Sequence, residues 1–132
     1  MDKKLKKQLS DIKLLICDID GVLTDGSFIK STSGDELRSF NALDGVGFVM
    51  LRLLNLNIKT AWITGRESLT TTQRAEELQI DDVYNGVIRK IDAYDELKKK
   101  YNISDHEVCF IGDDIIDIPI LEKVGFAVSV PN

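Results

Sequence analysis

Leu14-Leu15-Ile16-Cys17 runs directly into Asp18-Ile19-Asp20-Gly21, and this stretch decides how the rest of the chain is interpreted. Four consecutive apolar residues predict a short buried strand. The two acids follow at the point where that strand ends. Open α/β sheets bind ligands at the carboxyl ends of their strands. The stretch therefore predicts an α/β fold with a functional site above this strand.

Three later segments carry reactive side chains at the end of an apolar run or just before a helix. They are Thr64-Gly65-Arg66, Lys90 and Gly112-Asp113-Asp114-Ile115-Ile116-Asp117. If these segments converge on one crevice, acids, a hydroxyl and an ammonium would surround a single anion. Such a combination is typical of metal-assisted phosphoryl transfer.

Strands and helices are predicted to alternate along the chain. We expect further strands over 59–63, 82–84, 107–111 and 126–130, and helices over 44–55, 67–78, 91–101 and 115–123. A hairpin is predicted over 27–30 and 36–40, around the turn Ser31-Thr32-Ser33-Gly34. The alternation indicates a Rossmann-like three-layer α/β sandwich with a parallel five-stranded sheet and right-handed crossovers.

One helix has a marked apolar side. The apolar residues of the 44–55 helix that fall together are Val46, Val49, Met50, Leu53 and Leu54. This spacing is typical of an amphipathic helix. Trp62, in the strand over 59–63, is expected to be a core residue.

Composition limits the classes of function. With 132 residues, the chain is expected to form a single domain, 1–132. The net charge of −5 argues against a nucleic-acid partner. There is no apolar run of about 18 residues, so no membrane span is expected. The charged segment 1–13 is unlike a signal peptide, and Cys17 and Cys109 are expected to be core thiols, which favours a cytoplasmic protein.

The first motif has the chemistry of covalent catalysis. Asp18, at a strand end, is a candidate carboxylate nucleophile that would form an aspartyl phosphate. Gly21 favours a turn that would bring Asp20 to the same side, where it could protonate a leaving oxygen and later deprotonate water. The alternative is that Asp20-Gly21 and Asp25-Gly26 are only turns.

The second and third motifs are candidate anion ligands. The Thr64 hydroxyl could donate to a phosphate oxygen, and Gly65 precedes a helix whose first N–H groups are free to bind it. Thr64 or Ser68 could instead be a helix N-cap, and Arg66 either binds a substrate anion or pairs with Glu67 or Glu76. Lys90 could neutralise the phosphate, and Arg89 is its alternative.

The fourth motif is the strongest indication of a metal. Gly112 permits close approach of the backbone, and Asp113 would extend from the strand end toward a cation. Asp114 and Asp117 could hold waters or support the site, and one of them is expected to cap a helix. Like charges so close together need a counter-ion. Because oxygen ligands favour Mg²⁺, we expect a magnesium site.

Together the four motifs resemble those of the haloacid dehalogenase superfamily of phosphatases. The matching residues are Asp18-x-Asp20-Gly21-x-x-x-Asp25, Thr64-Gly65-Arg66, Lys90 and Gly112-Asp113-Asp114-x-x-Asp117. Within it, the chain resembles the group of 3-deoxy-D-manno-octulosonate 8-phosphate phosphatases. The patterns that resemble this group are Phe40-Asn41-x-x-Asp44-Gly45-x-Gly47 and Tyr84-x-Gly86-x-x-x-Lys90. The resemblance runs from about Leu14 to Val130.

The resemblance implies a role for each matched residue. Asp18 would be the nucleophile and Asp20 the acid/base, while the phosphate would be bound by Thr64, Gly65 and Lys90. Mg²⁺ would be held by Asp18, the backbone carbonyl of Asp20, and Asp113. Asp114 and Asp117 would act through water or through other ligands, and Arg66 is a possible substrate contact.

The resemblance also implies a substrate and an assembly. The substrate would be a sugar-acid phosphate such as 3-deoxy-D-manno-octulosonate 8-phosphate, used in lipopolysaccharide biosynthesis. Alternatives are a nine-carbon ulosonate 9-phosphate, or a non-catalytic oligomerisation or regulatory domain of the same fold. Members lack a large cap domain and form homotetramers through a hairpin flap, here about 26–41, with Phe28, Leu37 and Phe40 as candidate contacts. They usually continue with a helix and a tail that reaches a neighbouring site, whereas the sequence given ends at Asn132.

Overall fold

A computed structural model describes residues 1–131. The strands are β1 (Leu14–Cys17), β2 (Ile29–Lys30), β3 (Glu36–Leu37), β4 (Lys59–Ile63), β5 (Asp82–Tyr84), β6 (Val108–Ile111) and β7 (Phe126–Val128). The α-helices are α1 (Lys3–Ser10), α2 (Ala42–Leu53), α3 (Leu69–Leu78), α4 (Lys90–Tyr101) and α5 (Ile118–Leu121). Short 3₁₀ turns cover Asp105–Glu107 and Ile115–Asp117.

Five of the strands form one parallel sheet in the order β5-β4-β1-β6-β7. Strand β1 is central, and its residue Ile16 lies between Ala61 of β4 and Phe110 of β6. The chain moves outward from β1 in one direction through β4 and β5, and in the other through β6 and β7. In an open α/β sheet this reversal of strand order marks the ligand-binding edge.

The two faces of the sheet bury separate apolar clusters, because successive side chains of a strand point to opposite faces. One cluster joins Leu14 and Ile16 of β1 to Tyr94 and Leu97 of α4 and Ile120 of α5. The other joins the following residues of β1, β4, α2 and α3: Cys17, Trp62, Phe48, Ala75 and Leu78. Helices therefore cover both faces, and the predicted three-layer α/β sandwich with a five-stranded parallel sheet is confirmed.

The predicted helix starts were displaced by local capping. Helix α2 begins at Ala42 rather than at 44, because the Asn41 side chain accepts a hydrogen bond of 2.8 Å from the Leu43 N–H. Helix α3 begins at Leu69 rather than at 67. There Ser68 is extended, and its N–H donates to the Asn85 side chain at 3.0 Å.

The predicted helix over 115–123 is divided in two. A 3₁₀ turn over Ile115–Asp117 precedes the short helix Ile118–Leu121. The turn is tightened by Asp117, whose Oδ2 accepts hydrogen bonds from the N–H groups of Asp113 and Asp114 at 3.1 and 3.2 Å. This carboxylate holds the preceding loop, so a regular helix starts only after it.

The predicted hairpin exists but is shorter than expected. Only two residues of each strand pair, Ile29 with Leu37 and Lys30 with Glu36. Phe40, predicted to be a contact between subunits, lies outside the hairpin and stacks on Trp62 with ring centroids 6.4 Å apart. Phe40 is partly buried against the apolar cluster that contains Trp62, and its role as a contact between subunits stays a prediction. Trp62 is fully buried, as expected.

The apolar side predicted for α2 is not the side that packs on the sheet. The helix buries Gly45 and Phe48 instead. Exposed apolar side chains on α2 and just beyond it are Leu43, Val46, Met50, Leu53 and Leu54. Within residues 1–131, no helix is long and apolar enough to cross a membrane.

Candidate active site

The ends of the three central strands bring the predicted site residues together. Asp18 follows β1, Thr64 follows β4 and Asp113 lies two residues beyond β6. The backbone hydrogen bonds of the sheet continue past the strand ends. The Asp18 N–H donates to the Ile111 carbonyl at 2.9 Å, and the Thr64 N–H donates to the Tyr84 carbonyl at 3.0 Å. These backbone bonds fix where the two side chains enter the crevice.

The loop after β1 turns sharply, as Gly21 predicted. Gly21 has a φ of +88°, a conformation that costs glycine little and other residues more. The Thr24 hydroxyl accepts from the N–H groups of Gly21 and Gly26 at 3.4 and 3.1 Å. Asp25 is exposed and accepts hydrogen bonds from Ser27, so it stabilises the exit of the loop. The turn keeps Asp20 beside the sheet edge rather than leading it into solvent.

Lys90 is the buried cation of the site. Its ammonium donates to Oδ1 of Asp18 at 2.8 Å and to Oδ1 of Asp117 at 2.7 Å. The lysine side chain is 1% exposed, so this contact is shielded from water. Arg89, the alternative from sequence, is on the surface and pairs with Asp92 at 3.0 Å.

The Asp18 carboxyl is buried beside the Lys90 ammonium and close to the Asp117 carboxylate. Burial raises the pKa of Asp18 to about 7, against the opposing effect of the Lys90 ammonium. Burial also lowers the pKa of Lys90, but Asp18 and Asp117 raise that pKa by more, so the lysine remains charged. One ammonium thus faces two carboxylates, and a further cation beside Asp18 would favour the ionised acid.

Carboxylate oxygens of Asp18, Asp113 and Asp117 lie within 4.8 Å of one another. Such a group of hard oxygen atoms suits a divalent cation. Both Asp117 oxygens already accept hydrogen bonds, one from Lys90 and the other from backbone N–H groups. Asp18 and Asp113 are therefore the members better placed to bind a metal directly. The backbone at Gly112 passes so close that an added Cβ would lie 2.7 Å from the Asp117 carboxylate.

The Asp114 side chain makes its hydrogen bond outside this group of carboxylates. It is exposed, and its Oδ1 accepts from the Ile115 N–H at 2.6 Å. It is therefore the aspartate of this cluster that caps a helical turn.

Thr64 and Gly65 lie at the end of β4, whereas the Arg66 side chain contacts the hairpin. Thr64 is buried, and its hydroxyl accepts from the Arg66 N–H at 3.3 Å. An added Cβ on Gly65 would lie 3.4 Å from Ile88, so the backbone there is closely bordered by side chains. The Arg66 guanidinium is 3.8 Å from the centre of the Phe28 ring and 3.4 Å from Glu36. Arg66 thus contacts both ends of the hairpin.

Sequence reasoning missed Arg38. Its side chain is 0% exposed, and Nη1 lies 3.4 Å from Oδ1 of Asp20. A lone arginine in a predicted hairpin strand gives no signal of burial, because the partners come from elements far away in sequence. The structure therefore adds a buried cation beside the second acid of the first motif.

The chain is similar in sequence to a known family and to named phosphatases. A family model of haloacid dehalogenase-like hydrolases matches residues 62–132. The 3-deoxy-D-manno-octulosonate 8-phosphate phosphatase of Salmonella typhi is 42% identical over 122 residues, which cover 92% of this chain and 64% of that protein. The phosphatase of the same name from Yersinia pestis is 40% identical over 126 residues, which cover 96% of this chain and 66% of that protein. The chain thus spans about two thirds of the length of these relatives or slightly less.

Solved structures share the fold over almost the whole chain. The Yersinia pestis phosphatase has a TM-score of 0.92 at 37% identity and covers 98% of this chain and 69% of its own. The Moraxella catarrhalis phosphatase was solved with a magnesium ion, a phosphate ion and a KDO molecule. It has a TM-score of 0.93 at 36% identity, and the match covers 100% of this chain and 75% of that chain. The chain belongs to the haloacid dehalogenase-like hydrolases, in the group of the 3-deoxy-D-manno-octulosonate 8-phosphate phosphatases.

Proposed function

We propose that this protein is a Mg²⁺-dependent phosphomonoesterase that acts on a sugar-acid phosphate such as 3-deoxy-D-manno-octulosonate 8-phosphate. The observation that carries the proposal is the buried contact of Asp18 with Lys90, at the end of the central strand and within 4.8 Å of the Asp113 carboxylate. A non-catalytic domain of the same fold would have no need to bury a carboxylate against a lysine at this edge.

Asp18 is assigned as the nucleophile. Its carboxylate oxygen forms a bond to phosphorus while the bond from phosphorus to the sugar oxygen breaks, which gives an aspartyl phosphate. Lys90 donates to Asp18 from a buried position and neutralises charge that builds up on the transferring group. The Thr64 hydroxyl and the Gly65 N–H are assigned to the phosphate oxygens.

Asp20 is assigned as the acid/base. In the first step its carboxyl gives a proton to the leaving sugar oxygen, and in the second its carboxylate takes a proton from the water that attacks phosphorus. The second step restores Asp18 and releases inorganic phosphate. Asp20 is 29% exposed, so a substrate can reach it from the open side of the crevice.

The acidic residues fit a Mg²⁺ ion. Asp18, the backbone carbonyl of Asp20, and Asp113 would hold it, and the ion would lower the repulsion between the carboxylates and the phosphate. Asp117 keeps Lys90 and the Asp113 backbone in place through its hydrogen bonds. Asp114 is assigned a water-mediated role.

The substrate class is inferred from relatives. The chain shares about two fifths of its residues with 3-deoxy-D-manno-octulosonate 8-phosphate phosphatases, and the Moraxella catarrhalis relative was solved with KDO. Arg66, whose side chain is half-buried, could bind a sugar carboxylate after leaving Glu36. A nine-carbon ulosonate 9-phosphate is the second candidate, because the same carboxylate would reach the same arginine.

We further propose that the protein is cytoplasmic and forms a homotetramer. Each chain would form one phosphatase domain. Exposed apolar residues of the hairpin, Ile29 and Leu37, and those on α2 supply a surface for assembly. An isolated two-stranded hairpin is marginal in water, so it gains from burial against other copies. Cys17 and Cys109 are buried free thiols, which suits a reducing compartment.

A panel of phosphate esters tests the proposed function. Phosphate release should be fastest with an eight- or nine-carbon ulosonate phosphate, and should disappear with a chelator and return with Mg²⁺. Equal rates with simple sugar phosphates would contradict the substrate class. No hydrolysis of any ester by the Mg²⁺-loaded protein would favour the non-catalytic alternative.

A further inference from the structure

Arg38 is the most completely buried charged side chain that the proposed chemistry leaves without a role. Its guanidinium lies between two acids, with Nη1 3.4 Å from Asp20 and Nη2 3.6 Å from Glu36. Nη1 also donates to the Thr71 hydroxyl of α3 at 3.0 Å. A buried arginine of this kind is held only where its charge is matched, because an unmatched charge is costly to remove from water.

The contact with Arg38 leaves one carboxylate oxygen of Asp20 available to a ligand. Oδ1, the oxygen nearest Arg38, is buried and makes no hydrogen bond within residues 1–131. The separation of 3.4 Å is longer than the charge-assisted hydrogen bonds of about 2.7–2.9 Å found in proteins. Because Oδ1 is enclosed, Oδ2 is the oxygen that can exchange a proton with a ligand. Arg38 thus fixes which oxygen faces the crevice without taking up the reacting one.

Arg38 also connects Asp20 to the hairpin. Glu36 of β3 lies within ion-pair distance of both Arg38 and Arg66, at 3.6 and 3.4 Å. The Arg66 guanidinium in turn covers Phe28 at the start of the hairpin. A displacement of the hairpin would therefore move Glu36 and with it the arginine that orients Asp20.

We propose that Arg38 is a positioning residue for Asp20, holding its carboxyl so that the proton on Oδ2 points to the oxygen that leaves phosphorus; this rests on the function proposed above. In that step the Asp18 oxygen bonds to phosphorus, the bond from phosphorus to the sugar oxygen breaks, and the Asp20 proton passes to that oxygen. Without Arg38 the carboxyl rotates, and the proton is delivered less well.

Leaving groups of different basicity provide the test. A basic alkoxide needs the Asp20 proton, whereas 4-nitrophenolate leaves without it. The parameter kcat/KM reports the steps up to release of the alcohol. For Arg38→Met we expect kcat/KM to fall about 10- to 100-fold with a sugar phosphate, part of the ~10²–10⁴ that general acid catalysis supplies. With 4-nitrophenyl phosphate the fall should be below about 3-fold, since that step needs no acid.

Two variants provide controls. Asp20→Asn should show the same dependence on leaving group, and Arg38→Met should cause little further loss in the Asp20→Asn protein, because the two act as a unit. Arg74→Met removes another arginine, one that pairs with Glu77 of α3 at 3.0 Å, and should lower kcat/KM equally and only slightly for both esters.

Equal loss with both esters in folded Arg38→Met, or additive loss with Asp20→Asn, would overturn the inference and leave Arg38 a structural residue. If Arg38→Met does not fold, Arg38→Lys decides, since it keeps the charge but not the planar fork. Arg38→Lys should show a smaller loss that is still confined to the sugar phosphate. Equal loss with both esters in this variant would overturn the inference. If Asp20→Asn itself shows no dependence on leaving group, the proposed role of Asp20 fails, whatever Arg38 does.

Discussion

At the scale of single residues, the site depends on a few buried charges placed at strand ends. Asp18, Lys90 and Asp117 form a continuous contact with distances of 2.8 and 2.7 Å. Charged groups are rarely fully buried unless they are paired. Removal of either acid leaves Lys90 with one carboxylate partner, whereas removal of Lys90 takes the cation from both acids.

Asp18→Asn should abolish turnover and keep the fold. An amide cannot form the acyl phosphate, and loss of a nucleophile that acts in a unit costs up to about 10⁶-fold in kcat. Lys90 keeps Asp117 as its partner, so near-UV circular dichroism should be unchanged. Appreciable Mg²⁺-dependent turnover by the folded variant would refute Asp18 as the nucleophile.

Mg²⁺ should stabilise the protein through Asp113. At a concentration of 100 times the dissociation constant, binding to the native state alone adds about 2.7 kcal/mol. Thermal unfolding with and without Mg²⁺ should show this shift in the wild type and a much smaller one in Asp113→Asn. Asp92→Asn is the matched control, since Asp92 pairs with Arg89 on the surface and should leave the shift intact. Equal shifts in all three proteins would place the ion elsewhere.

At the scale of elements, the sequence predicted strands better than helix ends. The runs over 14–17, 59–63 and 82–84 were predicted to the residue, because each is a short segment with apolar or β-favouring residues that a polar residue follows. Helix α2 was misplaced since Asn41 supplies its cap, and the face it buries contains Gly45, which no apolar pattern reveals. Arg38 was missed because its burial depends on contacts with Asp20 and Thr71, 18 and 33 residues away in the chain.

Gly112→Ala should disturb the turn after β6. An added Cβ would lie 2.6 Å from the Phe110 ring and 2.7 Å from the Asp117 carboxylate. Overpacking of this kind costs about 1–3 kcal/mol, and it would also move Asp117 away from Lys90. Gly47→Ala is the matched control, because nothing lies within 4 Å of its added Cβ on α2. There alanine should stabilise by about 0.5–1 kcal/mol. Urea unfolding that fails to separate the two variants would contradict the close contact at Gly112.

Asp105 joins the end of α4 to the start of β6 and should make stability depend on pH. Lys98 and Tyr94 donate to its Oδ1 at 2.7 and 2.5 Å. Lys98 and then Tyr94 lower the pKa of Asp105. Because the folded pKa is the lower one, the stabilisation is complete above the unfolded pKa of about 3.9 and is lost as pH falls through the folded value.

Asp105→Asn should therefore be less stable than the wild type by about 1 kcal/mol at pH 7, a modest value because the side chain is 43% exposed. The difference should shrink as pH falls below the unfolded pKa of about 3.9 and through the lower folded value. Urea unfolding of both proteins across this range measures it. A difference that stays constant with pH would show that the charge on Asp105 does not contribute.

At the scale of the whole molecule, large apolar side chains remain exposed on α2 and on the hairpin. Val46 and Leu53 of α2 are 54% and 73% exposed, and Leu37 of the hairpin is 61% exposed. Large contiguous apolar patches on a folded protein mark interaction sites. The hairpin contacts Arg66, so the proposed assembly would share elements with the proposed site.

Val46→Glu together with Leu53→Glu should shift the protein toward monomers. A charge buried without a partner opposes association by several kcal/mol. Sedimentation velocity would measure the change. Leu9→Glu is the control, because Leu9 is exposed on α1, away from α2 and the hairpin, and it should leave the mass unchanged. A wild-type monomer with full activity would refute the tetramer.

The central position of β1 has a consequence for amide hydrogen exchange. The Asp18 N–H is bonded to Ile111 in continuation of a strand that is paired on both sides, so its exchange should require global unfolding. The hairpin N–H groups are held by only two residue pairs and should exchange through local opening. Asp20 lies two residues after Asp18 and is linked to the hairpin by Arg38. The proposed nucleophile should thus lie in the slowest-exchanging part of the protein, while the proposed acid/base is coupled to a part that should exchange much faster.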